Sequence, residues 1–133
     1  MATDEDLIEV ARTVRSYLSQ LGLSRPDAAD LDRALGEALA RAGGPDDRAA
    51  EIMALLERDE RVRGWAADFL RGGGPPDVVD SDRGAPVLAG RGEWVARRRF
   101  ACPEGDYVWW QRTVGQRTPS CPTHAVALIP AQR

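Results

Sequence analysis

The chain has 133 residues, a formal net charge of −3 and a pI near 5.2. This length accommodates one ordinary domain or two small ones and excludes a large multidomain enzyme. No apolar run approaches the roughly 18–20 residues of a membrane span, and the N-terminus is acidic, so we expect a cytoplasmic protein without a membrane partner. Two cysteines are too few for a disulfide-rich secreted scaffold.

Charge and aromatic residues are unevenly distributed along the chain. Residues 1–90 carry 11 Arg and 18 acidic residues, whereas residues 91–133 carry 7 Arg and 3 acidic residues. Five of the eight aromatic residues also lie in the second part. We therefore predict two structural units of opposite formal charge, −7 and +4. Lys is absent from the chain, which is typical of a GC-rich bacterial genome and implies nothing about function.

The first unit, residues 1–71, has the apolar spacing of amphipathic helices. Thr3 is predicted to cap a helix whose apolar residues recur at spacings of three and four as far as Leu21. Glu9, Arg12, Arg15 and Ser19 are predicted to lie mostly outside this apolar stripe. Ser24 is predicted to cap a second helix.

Two further apolar stripes follow, one beginning near Asp46 and one containing Val62, Trp65 and Phe69. They could form two helices or one bent helix. The prediction is a three- or four-helix bundle that contains no catalytic site and whose acidic outer face is either simply solvated or a docking surface. Residues 72–90, rich in Gly and Pro, are predicted to be a partly ordered linker.

The second unit, residues 91–133, has the alternation and composition of β-strands. Residues 93–101 and 107–113 predict two strands, and residues 125–129 predict a third that Pro130 closes. The predicted fold class is therefore α+β: a helical bundle followed by a small three-stranded antiparallel β unit.

Two short segments with metal-ligand spacing lie between the predicted strands. Cys102-Pro103 precedes the second strand, and Cys121-Pro122-Thr123-His124 precedes the third. The arrangement resembles a zinc ribbon, a family in which two such turns share one zinc ion. Over about 40 residues, this resemblance implies that Cys102, Cys121 and His124 are ligands of a structural zinc.

The chain departs from the zinc-ribbon pattern at Gly105, which stands where the first turn should supply its second Cys. Asp106 is the expected fourth ligand, and Glu104, a water or a partner group are the alternatives. A unit of about 40 residues rarely buries enough surface to fold alone, which favours a metal. Two other possibilities stay open: a metal-free ribbon stabilised by its aromatic core, and a Cys102–Cys121 disulfide, which a reducing cytosol disfavours.

Three function classes follow from these residues. The first is a non-enzymatic protein-interaction or adaptor module, and the architecture resembles small actinobacterial proteins that accompany larger signalling or conflict-system effectors. The second is nucleic-acid binding through Arg97, Arg98, Arg99, Arg112 and Arg117, with Tyr107 and Trp109 available for stacking. An enzyme is the third and weakest, since the chain has one His and shows no evident small-molecule substrate site.

Overall fold

The computed structural model describes residues 3–41, 45–77, 99–111 and 115–131. Four α-helices precede a three-stranded antiparallel sheet, which confirms the predicted α+β class. The helices are α1 (Asp4–Val14), α2 (Arg25–Ala40), α3 (Pro45–Leu56) and α4 (Glu60–Gly72), with a 3₁₀ turn at Leu18–Gln20. The strands are β1 (Arg99–Ala101), β2 (Val108–Trp110) and β3 (Ile129–Pro130).

Both predicted helix caps are confirmed. The Thr3 hydroxyl accepts from the Asp6 N–H at 3.1 Å, and the Asp6 carboxylate accepts from the Thr3 N–H at 3.0 Å. The Ser24 hydroxyl accepts from the Asp27 N–H at 3.2 Å. These bonds satisfy N–H groups that have no partner within the helix, which is why Ser and Thr begin helices.

The first helix is shorter than its apolar periodicity predicts, because α1 ends at Val14 and not at Leu21. Beyond this point the N–H groups of Ser16 and Tyr17 donate to carbonyls three residues back. The Ser16 hydroxyl donates to the Thr13 carbonyl at 2.8 Å and so competes with the regular helical bond. The chain tightens into a 3₁₀ turn that keeps Leu18 buried.

The third and fourth apolar stripes form separate helices, since Asp59 begins a new one. Its carboxylate accepts from the N–H groups of Arg61 and Val62. At the other end, Gly73 adopts a left-handed conformation with φ of +78° and closes α4. Most of the predicted linker, and residues 93–98 of the predicted first strand, lie outside the described residues.

Each region has its own apolar cluster. In the helical region α1 packs against the other three helices, and the buried cluster draws only on helical and 3₁₀ residues and Tyr17. In the β unit (residues 99–131) the cluster is much smaller and consists of Phe100, Cys102, Tyr107, Trp109, Cys121 and Leu128. The predicted boundary near residue 90 stays a prediction, because it falls outside the described residues.

The sheet has the order β2-β1-β3, and Phe100 of β1 is aligned with Trp109 on one side and with Pro130 on the other. The third strand differs from the prediction over 125–129, since only Ile129–Pro130 is paired with β1. Ala125 has a positive φ of +56°, which interrupts the extended backbone at the start of the predicted strand. Ala127 forms an isolated bridge with Ser120 instead.

Candidate metal centre

The structure brings together the four residues that the sequence singles out. One ligand atom from each of Cys102, Asp106, Cys121 and His124 lies within 4.8 Å of the others. The His124 Nδ1 atom is 3.6 Å from the Cys102 Sγ atom, 3.8 Å from the Cys121 Sγ atom and 3.3 Å from an Asp106 carboxylate oxygen. The Cys121 Sγ atom is 3.7 Å from the other Asp106 oxygen. This group could hold a metal ion.

Two turns of equal length carry these four side chains. We name them the Cys102 turn (residues 102–107) and the Cys121 turn (residues 121–126). Each is closed by the cysteine N–H, which donates to the carbonyl five residues ahead at 2.9 Å. The turns therefore place both cysteines at equivalent positions, and both thiols are free and buried.

The two turns differ in the order of their left-handed residue and their second candidate ligand. In the Cys102 turn the left-handed residue is Gly105, with φ of +82°, and Asp106 follows it. In the Cys121 turn His124 comes first and the left-handed residue is Ala125. Gly105, which departs from the zinc-ribbon pattern, therefore forms the backbone reversal, and the candidate ligand Asp106 follows one position later in the chain.

The two carboxylates of the first turn differ in burial. Asp106 is 3% exposed and its carboxylate belongs to the cluster. Among the described residues, the cluster does not include Glu104, whose side chain is exposed and whose N–H points at the Cys102 Sγ atom at 3.4 Å. Glu104 thus contacts the site through its backbone N–H, which donates to the Cys102 thiol.

Burial is the main reason that the pKa of the Cys102 thiol is raised to about 11. The nearby Cys121 and Asp106 act in the same direction, whereas the Glu104 N–H acts against it. Three of the four groups in the cluster are buried, and His124 has a side chain that is 34% exposed. The site thus concentrates electron-rich S, N and O atoms in a small, mostly desolvated volume, which is an environment that a cation stabilises.

A guanidinium from the helical region lies directly behind the cluster. Arg15, which follows α1, is buried, with a side chain that is 2% exposed. It donates to the backbone carbonyl of Asp106 at 2.6 Å and to the hydroxyl of Thr123 at 2.6 Å. The same side chain donates to the Asp32 carboxylate at 2.8 Å and lies over the Tyr107 ring. Arg15 therefore connects both turns to α2.

Two more residues of α1 contact the β unit. Arg12 donates to the Gly105 carbonyl at 2.7 Å. Glu9 is buried and accepts two hydrogen bonds from the Arg99 guanidinium, each at 2.8 Å, in a bidentate pair. Glu9, Arg12 and Arg15 lie outside the apolar stripe, and the β unit covers this side of the helix.

One sequence signal for this interface was available in α2. Gly36 lies inside a helix, where Gly is less favourable than Ala by about 1 kcal/mol. A Cβ atom at this position would lie 3.3 Å from the Arg15 guanidinium. An unexplained Gly within a helix thus marks the space that Arg15 occupies.

Several residues proposed for nucleic-acid contact are buried or paired with other residues of the chain. Tyr107 and Trp109 are less than 10% exposed, so their rings are not available for stacking. Arg99 is committed to Glu9 and to the Ala131 carbonyl. Arg97, Arg98 and Arg112 lie outside the described residues, and Arg117 is exposed.

Comparisons of the chain with protein-family models, with curated proteins and with solved structures find no match. Within the part of the chain that the structure describes, no helix combines the length and the apolar character needed to cross a membrane.

Proposed function

We propose that the β unit is a structural zinc-binding unit and that the chain acts as a non-enzymatic adaptor that binds another protein. The ligands of the zinc ion would be Cys102, Asp106, Cys121 and His124. The single observation that carries the zinc proposal is the spacing of their ligand atoms. In a tetrahedron with Zn–S bonds of about 2.3 Å and Zn–N or Zn–O bonds of about 2.0 Å, ligand atoms lie about 3.3–3.8 Å apart. Four of the contacts in the cluster run from 3.3 to 3.8 Å, with different Asp106 oxygens facing His124 and Cys121, and one ligand atom from each residue lies within 4.8 Å of the others.

The size of the β unit supports a structural role for the ion. Its apolar cluster is small and includes both cysteines. Small units of this kind usually need a disulfide or a bound metal to fold stably. A structural zinc contributes on the order of 10 kcal/mol to folding. When bound, zinc would supply four bonds that hold the two turns together, and the protein supplies the buried ligand positions.

The direct test is metal analysis of the purified protein. We expect about one equivalent of zinc per chain, and its removal by a chelator should broaden or shift the NMR amide signals of the β unit. The helical signal in circular dichroism should stay largely intact, because the helical cluster contains no β-unit residue. Native protein that neither contains nor takes up zinc would contradict the proposal.

The assignment of Asp106 has a sharper test with a neighbouring control. Asp106→Asn removes a carboxylate from the cluster, whereas Glu104→Gln alters an exposed carboxylate two residues away. We expect Asp106→Asn to lower zinc affinity at least 100-fold in competition with a chromophoric chelator, since ligands matter more than the outer partners worth 10–100-fold. Equal affinities for the two variants would show that the fourth ligand is not Asp106.

The adaptor part of the proposal draws on how the reactive groups are used. The chain has one His, which lies in the cluster beside both cysteines. As metal ligands, these three side chains would not be available as catalytic nucleophiles or bases. Cross-linking in the native host, followed by reconstitution from purified components, should yield a stoichiometric complex with one protein partner. A catalytic activity that requires His124 would contradict the adaptor role.

Nucleic-acid binding has less support, because Tyr107, Trp109 and Arg99 are buried or paired. If it occurs, it should weaken steeply with salt, because Arg contacts to phosphate release counterions. A gel shift at low salt that disappears at moderate salt would restore this function class.

A further inference from the structure

We propose that Arg15 is a positioning residue of the metal centre, so that zinc binding and docking of the β unit on the helical region reinforce each other. This inference rests on the proposed zinc site. It concerns a residue of the helical region, 87 positions before Cys102 in the chain.

Arg15 contacts both turns that carry the proposed ligands. In the Cys102 turn its guanidinium donates to the backbone carbonyl of Asp106, and one carboxylate oxygen of Asp106 lies 4.0 Å from it. In the Cys121 turn it binds Thr123, the residue immediately before His124. The guanidinium and the four-residue cluster therefore hold the same two turns.

The position of the guanidinium is itself fixed from the helical side. Asp32 on α2 accepts from the Arg15 Nε atom at 2.8 Å and from a terminal nitrogen at 3.4 Å. Gly36, one helical turn further along, leaves no side chain in the space that the guanidinium fills. A planar group held by Asp32 of the helical region can thus orient both turns.

Coupling follows from the shared turns. A metal that fixes the two turns also fixes the acceptors of Arg15, and an Arg15 bound to Asp32 restricts the turns to the spacing that the metal requires. Linkage requires this effect to be reciprocal, so zinc must strengthen the docked state as much as docking strengthens zinc binding. Outer partners that orient metal ligands typically account for a 10–100-fold change in affinity.

The test measures zinc affinity by chelator competition in the full-length protein. We expect Arg15→Gln to weaken zinc binding 10–100-fold and Arg15→Lys to weaken it less, because the ammonium keeps the charge and one donor. Thr123→Val removes one acceptor at an exposed position and should cost roughly 3- to 10-fold. This variant keeps the test decisive if Arg15→Gln does not fold.

The matched control is Val62→Ala, which weakens the helical core on α4 without altering either turn. It should leave zinc affinity unchanged within about twofold. In the wild type, added zinc should raise the temperature at which the helical dichroism signal is lost, and this rise should be smaller in Arg15→Gln. The absorption of the Co²⁺-substituted protein should also change in Arg15→Gln if the ligands are displaced.

Each outcome separates the two proposals. Zinc binding by the wild type together with equal affinity in Arg15→Gln and Thr123→Val would overturn the positioning role alone. A loss of affinity in Val62→Ala as large as in Arg15→Gln would also overturn it, since general destabilisation would then explain both. A wild type that binds no zinc would overturn the zinc site and this inference together.

Discussion

Among the described residues, 18 form the buried apolar cluster of the helical region, whereas six form that of the β unit and two of these are cysteines. The β unit also contains the four-residue cluster and accepts or donates hydrogen bonds with Glu9 and Arg12 of α1 and with Arg15, which follows α1. The helical region therefore has the larger apolar core, whereas hydrogen bonds and an ion pair join the β unit to the helical region. Such bonds are sensitive to single atoms, so the two regions should respond differently to substitution.

The largest expected effect is in the helical core. Ile52→Ala removes a fully buried side chain on α3 and should lower the free energy of unfolding by about 4 kcal/mol, through lost burial and a cavity. Urea unfolding followed by circular dichroism measures this loss, which should be equal with excess zinc or with chelator. Met53→Ala, at an exposed neighbouring position, is the control and should cost well under half as much. If excess zinc restored the stability lost in Ile52→Ala, the contrast between the two regions would be contradicted.

The next effect is at the interface between the regions. Glu9→Gln removes the buried charge that pairs with Arg99 and leaves the guanidinium poorly compensated. We expect a loss of about 3 kcal/mol, measured by thermal unfolding. Glu5→Gln is the control, since the Glu5 side chain is 71% exposed and its contact with Arg12 is long, and it should change stability by no more than about 0.5 kcal/mol. Similar losses in both variants would mean that the buried pair is not important.

A smaller effect is expected in the Cys102 turn. Gly105→Ala places a Cβ atom on a backbone with φ of +82° and should cost about 1–2 kcal/mol. The cost is conformational, because the nearest atom to the new Cβ atom is at an ordinary 3.8 Å. Gly64→Ala in α4, where no atom lies within 4 Å, is the control and should instead stabilise the protein. Urea unfolding distinguishes the two, and a neutral Gly105→Ala would argue against strain at this position.

The smallest effect is a gain in the Cys121 turn. Ala125 already has a left-handed backbone with φ of +56°, so Ala125→Gly should raise stability by about 0.5 kcal/mol. The relief of strain exceeds the larger entropy that Gly loses on folding. Thermal unfolding of the zinc-bound protein checks this, and a destabilised Ala125→Gly would show that the methyl group has a packing role.

Local patterns account for most of what the sequence could predict. Thr3 and Ser24 cap helices through contacts only three residues away, and the apolar stripes place four helices close to their observed positions. The four residues of the cluster were also singled out locally, because Cys121 and His124 lie in one turn and Cys102 and Asp106 lie in the other. The end of α1 and the start of β3 were missed, since hydroxyl competition at Ser16 and a left-handed Ala125 carry no periodic signal.

By itself, the sequence determined the fold class, the starts of the first two helices and the four residues of the candidate site, because these depend on spacings of a few residues. The tertiary structure decided that the charged side of α1 is buried. Glu9 lies 90 positions from Arg99, and Arg15 lies 108 positions from Thr123. Charged residues on an amphipathic helix are buried only where partners replace their contacts with water. Here those partners lie far away in the sequence, and only the folded chain brings them together.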